Sequence, residues 1–475
     1  MPRVPPHAIL HHSYHLPHTP ILSTPTRPPR TVHFCLSTAT MSASPPPSPP
    51  LKVPKPMEWR FKYMTTPCEC VEDYFPGSYH PVHLGDVFNN GQYEVIRKLG
   101  EGSFSTVWLA RDQKNDRYVA LKILVSDNKA STAELQILHH INNVAATDGA
   151  RHITQLLGEF EHHGPNGTHK CLVFELMGPN VNVMVEELPQ FKPRKWGMKV
   201  RYPPRMAKSI LKQTLQALAF LHENGIAHGD FQPGNMLFSL GNIDATPAND
   251  LRQEEDEQGE SISPAVQRLD GKQDKWAPRY LCVAQPLAAY TKYEESFKIK
   301  LSDMGGAYFL ADPPAAPVTP RGLRAPELIL TGAVNKTLDI WSFGCLVFEL
   351  LTGRPLFCVP GGGGSEDDSH LLSLTAELGP LPDELFKQWK TSSLYFTPER
   401  KLFNCSTEGV PEGEEPLMLD QTSMEDMFDE AAPDLDEDEA RTVKALVRRI
   451  LQYDPAKRPS AAELLADPWI RGIEV

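Results

Sequence analysis

Apolar positions along the chain gather into segments of two kinds. Tyr93-Glu94-Val95-Ile96, Tyr118-Val119-Ala120-Leu121-Lys122, Cys171-Leu172-Val173-Phe174-Glu175-Leu176-Met177-Gly178 and Ile299-Lys300-Leu301 are short, apolar and bounded by turn residues, which predicts strands. Residues 204–224 instead place Ile210, Leu211, Leu215, Leu218, Ala219 and Leu221 at helical spacing, so a buried helix is expected there. Residues 133–138 have helical character, Asp339 opens a strongly apolar helix over 338–345, and a last helix ends near Trp469. Internal repeats are not apparent.

Composition divides the chain further. Forty-five prolines in 475 residues exceed the usual share of about 5 per cent, and many precede residue 60, so the folded part is shorter than the chain. Residues 1–57 read as a disordered Pro/His-rich segment. Its acid-poor, Ser/Thr-rich start superficially resembles a mitochondrial transit peptide, but the prolines at 2, 5, 6, 17, 20, 25, 28 and 29 interrupt the amphipathic helix such a signal needs. Its five histidines between His7 and His18 read as composition, and Met41 is an alternative start to Met1. Residues 58–92 have aromatic anchors and turn residues, and read as an ordered lead-in.

The net charge is −13, with acid concentrated at 254–257, 366–368 and 425–439. That sign opposes general nucleic-acid binding, which needs lysine and arginine against phosphate. A basic partner fits better, although each acid run taken singly reads first as a solvated loop. Docking of an arginine-rich partner on 425–439 is an expectation from charge alone. Eight scattered cysteines suggest a reduced intracellular protein, and no apolar run approaches the roughly 18 residues of a membrane span.

The candidate chemistry centres on Ile226-Ala227-His228-Gly229-Asp230-Phe231-Gln232-Pro233-Gly234-Asn235-Met236-Leu237. On a loop between helix and strand, Asp230 can orient a hydroxyl and accept its proton while Asn235 helps hold Mg²⁺. Leu99-Gly100-Glu101-Gly102-Ser103-Phe104-Ser105-Thr106-Val107 forms a glycine-rich hairpin between two β-rich runs, with Ser105 where a third glycine is usual. Glycines two apart let backbone N–H groups approach phosphates. Lys122 ends the next strand in phase with that hairpin, and Glu134 is its natural ion-pair partner. The 171–178 strand ends in a turn where an adenine can bond to backbone. An acidic, polar insertion at about 241–295, with a more apolar patch at Tyr280-Leu281-Cys282-Val283, precedes Asp303, which ends a strand in a glycine-flanked turn and can reach a metal. Each of Asp230, Asn235 and Asp303 alone is an ordinary turn residue; together they make a metal-and-hydroxyl set. Glu327, in Arg324-Ala325-Pro326-Glu327, and Arg458 are candidates for a buried structural ion pair.

From about residue 93 to the end, loop, lysine, helix glutamate, catalytic loop, metal aspartate, Ala-Pro-Glu and terminal arginine follow in the order of a eukaryotic protein kinase, which the chain resembles. More narrowly it resembles the kinases of serine/arginine-rich splicing proteins, through Glu72-Asp73-Tyr74-Phe75-Pro76-Gly77-Ser78-Tyr79-His80, Gly85-Asp86 and Ile96-Arg97-Lys98-Leu99-Gly100, and through the insertion. The resemblance implies an α+β, two-lobed fold with a small β-rich N-lobe at 93–177 and a larger, mainly helical C-lobe at 178–475. It implies a serine/threonine kinase using ATP and Mg²⁺, in which Asp230 and Lys122 are catalytic and Asn235 and Asp303 hold metal. Leu99, Gly100, Glu101, Gly102, Ser103, Val107, Ala120, Lys122, Glu134, Glu175 and Met177 would form the nucleotide site. The implied substrates are basic, arginine/serine-rich proteins, met by a monomer in cytoplasm and nucleus.

Three departures from the family pattern stand out. Gln232 occupies the position of a lysine, Gly229 precedes Asp230 where an arginine is usual, and Thr319 is the only serine or threonine between Gly306 and Pro326. Activation without loop phosphorylation is therefore expected. Gln232 also keeps two alternatives open: a small-molecule phosphotransferase of choline or aminoglycoside kinase type, whose loop is His-Gly-Asp-x-x-x-Gly-Asn, and a nucleotide-binding pseudokinase scaffold.

Overall fold

The computed structural model describes residues 59–127, 131–144, 148–253, 261–293, 296–359, 366–402 and 421–475. The 1–57 segment and the acid run at 254–257 lie outside the described residues. Among the described residues the strands are β1 (Val87–Phe88), β2 (Tyr93–Gly102), β3 (Ser105–Asp112), β4 (Arg117–Leu124), β5 (Leu156–Gly164), β6 (Gly167–Glu175), β7 (Met177–Asn180), β8 (Ile226–Ala227), β9 (Met236–Ser239), β10 (Ile299–Leu301) and β11 (Tyr308–Phe309). The first six form one antiparallel sheet in the order β1-β2-β3-β4-β6-β5. Alternation fixes its faces: Val95, Trp108, Val119, Leu121, Cys171 and Val173 pack into one N-lobe core. Ala120 and Lys122, two apart on β4, share a cleft-lining face with Val107.

Helices follow as α1 (Ser131–Val144), α2 (Val181–Glu187), α3 (Pro204–Glu223), α4 (Ala248–Leu251), α5 (Pro326–Thr331), α6 (Thr337–Thr352), α7 (Glu366–Leu378), α8 (Asp383–Phe386), α9 (Met424–Ala431), α10 (Glu437–Ile450), α11 (Ala461–Ala466) and α12 (Pro468–Arg471). α3 buries the apolar positions read from the sequence, and α6 is buried along nearly its whole length, so these two form the centre of the C-lobe core. Among the described residues no helix is long and apolar enough to cross a membrane.

The Glu327 carboxylate receives two bonds from the Arg458 guanidinium, at 2.6 and 2.7 Å, with both side chains buried and Trp341 under the guanidinium. Glu327→Gln leaves that cation buried without its counter-charge, so unfolding stability should fall by about 3–5 kcal/mol. Denaturant unfolding measures this, and a loss below about 1 kcal/mol would contradict it.

The acid run at 425–439 has a structural cause that charge counting did not reveal. Glu425 pairs with Arg448, Asp429 with Lys444, Asp434 with Arg201 and Glu439 with Lys208. Ser423 and Asp436 cap α9 and α10, and the acids of their first turns suit the positive helix ends. The run thus fastens the C-lobe to itself.

The apolar residues at 280–282 anchor the insertion. Leu281 joins Phe61, Val71, Tyr74 and Tyr79 of the lead-in in one apolar cluster. Phe61 pairs with Arg268, and the Arg60 guanidinium meets Glu72 and Asp274. Ile243, Leu251 and Leu287 cover Ile96 and Leu109 on the other side. Lead-in and insertion therefore make one cap over the N-lobe sheet.

Candidate active site

Strand register brings the metal candidates together. β9 and β10 pair Met236 with Leu301, so Asn235 and Ser302 face each other at the strand ends. The Ser302 amide and hydroxyl donate to the Asn235 carbonyl at 2.8 and 2.9 Å. Asp303, the next residue, adopts a left-handed conformation with φ 59°, which aspartate tolerates better than bulky residues. This turn aims its carboxylate at Lys122, whose ammonium donates to Asp303 Oδ1 at 2.8 Å and to Glu134 Oε1 at 2.6 Å. Burial alone would lower the Lys122 pKa, but the two carboxylates push it well above the usual lysine range. The Lys122 ammonium in turn holds Asp303 below the usual carboxylate range.

The catalytic loop is held by a residue that the sequence reading assigned only to a helix start. Asp339, buried in α6, accepts the backbone N–H groups of His228 and Gly229 at 2.8 and 2.9 Å and bonds His222 Nε2 at 2.9 Å. Burial pushes its pKa up, yet these bonds hold it low. An acid inside a strongly apolar helix was the available signal.

Gly229 sits at φ +72°, and a Cβ there would meet the Gly306 carbonyl at 2.4 Å. No arginine fits. The activation segment is held instead by Thr319, whose buried hydroxyl donates to the Gly229 carbonyl at 2.7 Å. Thr319 is thus a structural bond in this conformation and not an exposed acceptor.

Asp230 accepts from Gln232 Nε2 at 2.7 Å on Oδ1 and from Asn235 Nδ2 at 2.9 Å on Oδ2. Asn235 Nδ2 also donates to the Asp230 carbonyl at 2.8 Å, which leaves the amide oxygen as its acceptor. Burial raises the Asp230 pKa; His228 and the two amides oppose that rise, and Asp303 adds to it.

A cleft of about 570 Å³ lies beside these groups, lined by Leu99, Gly100, Glu101, Gly102, Val107, Ala120, Lys122, Glu175, Met177, Asn235 and Asp303 among others. Ser103 stands at the β2–β3 turn outside that lining, and Glu134 and Asp230 reach it only through Lys122 and Asn235. The Glu175 carboxylate is engaged by Lys300 at 2.6 Å and that of Glu101 by Lys98 at 3.0 Å. The cleft walls also include Phe174, Ala284 and Pro286, which the sequence reading did not single out.

This arrangement suits a nucleotide with its phosphates toward Lys122 and the glycine hairpin. Mg²⁺ needs few protein ligands when phosphates and water complete its shell. Asp303, with a side chain about half exposed, and the Asn235 amide oxygen fit that need.

The chain belongs to the protein kinase family: the protein kinase domain model matches residues 93–246 and 291–470. Residues 247–290, left between the two matched parts, lie within the insertion. Within the family the chain is an SRPK-like serine/threonine protein kinase. It is 33% identical to a serine/threonine-protein kinase SRPK of Physarum polycephalum over 85% of this chain and 92% of the relative. It is 28% identical to protein kinase dsk1 of Schizosaccharomyces pombe, covering 85% of each, and 24% identical to human SRSF protein kinase 3, covering 84% and 89%. A crystal structure of a kinase domain shares the fold with TM-score 0.54 at 24% identity, over 82% of this chain and 98% of that one. Membership in this family sets aside the choline or aminoglycoside kinase alternative.

Proposed function

We propose that this enzyme transfers the γ-phosphate of ATP, with Mg²⁺, to serines beside arginines in basic proteins. The observation that carries the transfer is the Lys122 ammonium held between Glu134 and Asp303, with the Asp230–Asn235 pair alongside. Support for the substrate class comes from the net charge of −13 and from the kinship with SRPK-like kinases.

In this reading Lys122 holds the α- and β-phosphates, and the backbone of Gly100 and Gly102 covers them. Asn235 and Asp303 would hold the metal, which when bound would offset the charge on the phosphates. Asp230 orients the serine hydroxyl and accepts its proton. Each of its oxygens has one lone pair occupied by an amide donor and another left for the substrate. Gln232 thus replaces the positional role of the family's lysine but adds no positive charge near the transferring phosphate. Gln232→Lys should raise kcat, by about tenfold, through that charge. Steady-state kinetics check this, and a fall in kcat would show that the site is built around the amide.

Substrate class is tested by comparing kcat/KM on an Arg-Ser repeat, a Lys-Ser repeat, a neutral serine peptide and choline. The proposal expects the Arg-Ser repeat to lead by at least about tenfold, since a planar guanidinium pairs with carboxylates in a way an ammonium does not. Equal use of all three peptides would overturn it.

A further inference from the structure

Lys98 lies on β2 just before the glycine hairpin and is completely buried. A buried ammonium needs an acceptor for each of its three protons. Here Glu69 of the lead-in, Glu101 of the hairpin at 3.0 Å and the Cys282 carbonyl of the insertion at 3.0 Å supply them. The backbone of Lys98 is taken as well. Its N–H donates to Gln253 Oε1 at 2.9 Å, and its carbonyl accepts the Gln285 N–H at 2.9 Å.

Lys98 is therefore the point where the lead-in, the hairpin and two separate stretches of the insertion, at Gln253 and at 282–285, meet. Glu69 is itself fixed by the Tyr74 hydroxyl at 2.6 Å, and Gln253 by the Ser261 and Val283 carbonyls at 2.7 and 2.9 Å. A second tie reaches the hairpin directly: the Tyr79 hydroxyl donates to the Gly102 carbonyl at 2.6 Å. On the inner side Ala284 and Pro286, which flank Gln285, line the nucleotide cleft.

We infer that Lys98, with Tyr79, is a positioning residue for ATP, holding the phosphate-covering hairpin in place from outside the cleft. A glycine-rich hairpin left free loses conformational entropy when it closes on phosphates; one held beforehand has less to lose, and ATP affinity rises accordingly. The ties act on the phosphate end, because they end on Glu101 and Gly102, whereas the adenine end lies at Met177.

This inference rests on the reading of the cleft as an ATP site, and the test separates the two. Dissociation constants for ATP, ADP and adenosine would be measured by calorimetry on the whole chain. Lys98→Met alone strands the buried Glu69 carboxylate and frees that of the more exposed Glu101, so it is combined with Glu69→Gln and Glu101→Gln, and Tyr79→Phe serves as a mild variant that keeps its ring. The expected result is ATP and ADP weakened about tenfold in the triple variant and about threefold in Tyr79→Phe, with adenosine within twofold of wild type. Unchanged ATP affinity in both variants, or equal weakening for ATP and adenosine, overturns the inference. Wild-type protein that binds neither ATP nor ADP overturns the cleft assignment itself.

Discussion

Asp230→Asn should lower the rate of phosphate transfer about 10³-fold while leaving ATP affinity nearly unchanged. Proton acceptance by a placed carboxylate contributes roughly 10²- to 10⁴-fold. The substitution keeps the size of the side chain and removes the basic oxygen. ATP affinity is spared because Asp230 is not among the residues lining the cleft. The pH profile gives a second readout. The carboxylate must be ionised to accept the proton, and its burial raises its pKa above the ordinary 3.8. As pH falls through that raised value the base is lost, so the acid limb of kcat/KM lies at higher pH than an ordinary aspartate would give, and Asp230→Asn lacks it. Rates measured across pH for both proteins test this, and an identical acid limb in the variant would assign the titration elsewhere.

The second large effect is expected at Asp303. Its carboxylate is held ionised by the adjacent Lys122 ammonium, so a full negative charge is available to a metal at working pH. Asp303→Asn removes that charge and weakens the bond to Lys122, and kcat should fall by about 10²- to 10³-fold with a higher Mg²⁺ requirement. Stability should change little, because the side chain is about half exposed and Glu134 still pairs with Lys122. Rate against Mg²⁺ concentration, together with a melting curve, separates the two effects. A kcat within threefold of wild type would remove Asp303 from the metal site.

Local patterning made the candidate reacting groups easy to single out. Lys122 lies near the end of an apolar strand, Asp303 follows another, and Asp230 and Asn235 share one loop, so spacing and strand ends announce them. The residues that hold those groups were less legible, since their partners are far away in sequence. Asp339 serves His228 and Gly229 from more than 100 residues downstream, and Lys98 meets Cys282 across 184 residues. Asp339 is marked only as a charge set in an apolar helix, and Lys98, beside Arg97, is not marked at all. The acid run at 425–439 is conspicuous for its charge, while two of its intramolecular partners, Arg201 and Lys208, stand more than 200 residues upstream. Gly229 could be noticed from sequence as a departure, but only the φ of +72° and the nearby Gly306 carbonyl explain it. Glycine is what the close approach of the activation segment allows.

The most direct measurement is transfer of label from γ-labelled ATP with Mg²⁺ to an Arg-Ser repeat peptide, by the whole chain beside Asp230→Asn. Label on peptide serine that disappears in the variant is the predicted result, and it would show that a neutral Gln232 suffices beside the catalytic base. No label from a wild-type protein that still binds ATP would contradict the account and make the chain a nucleotide-binding pseudokinase.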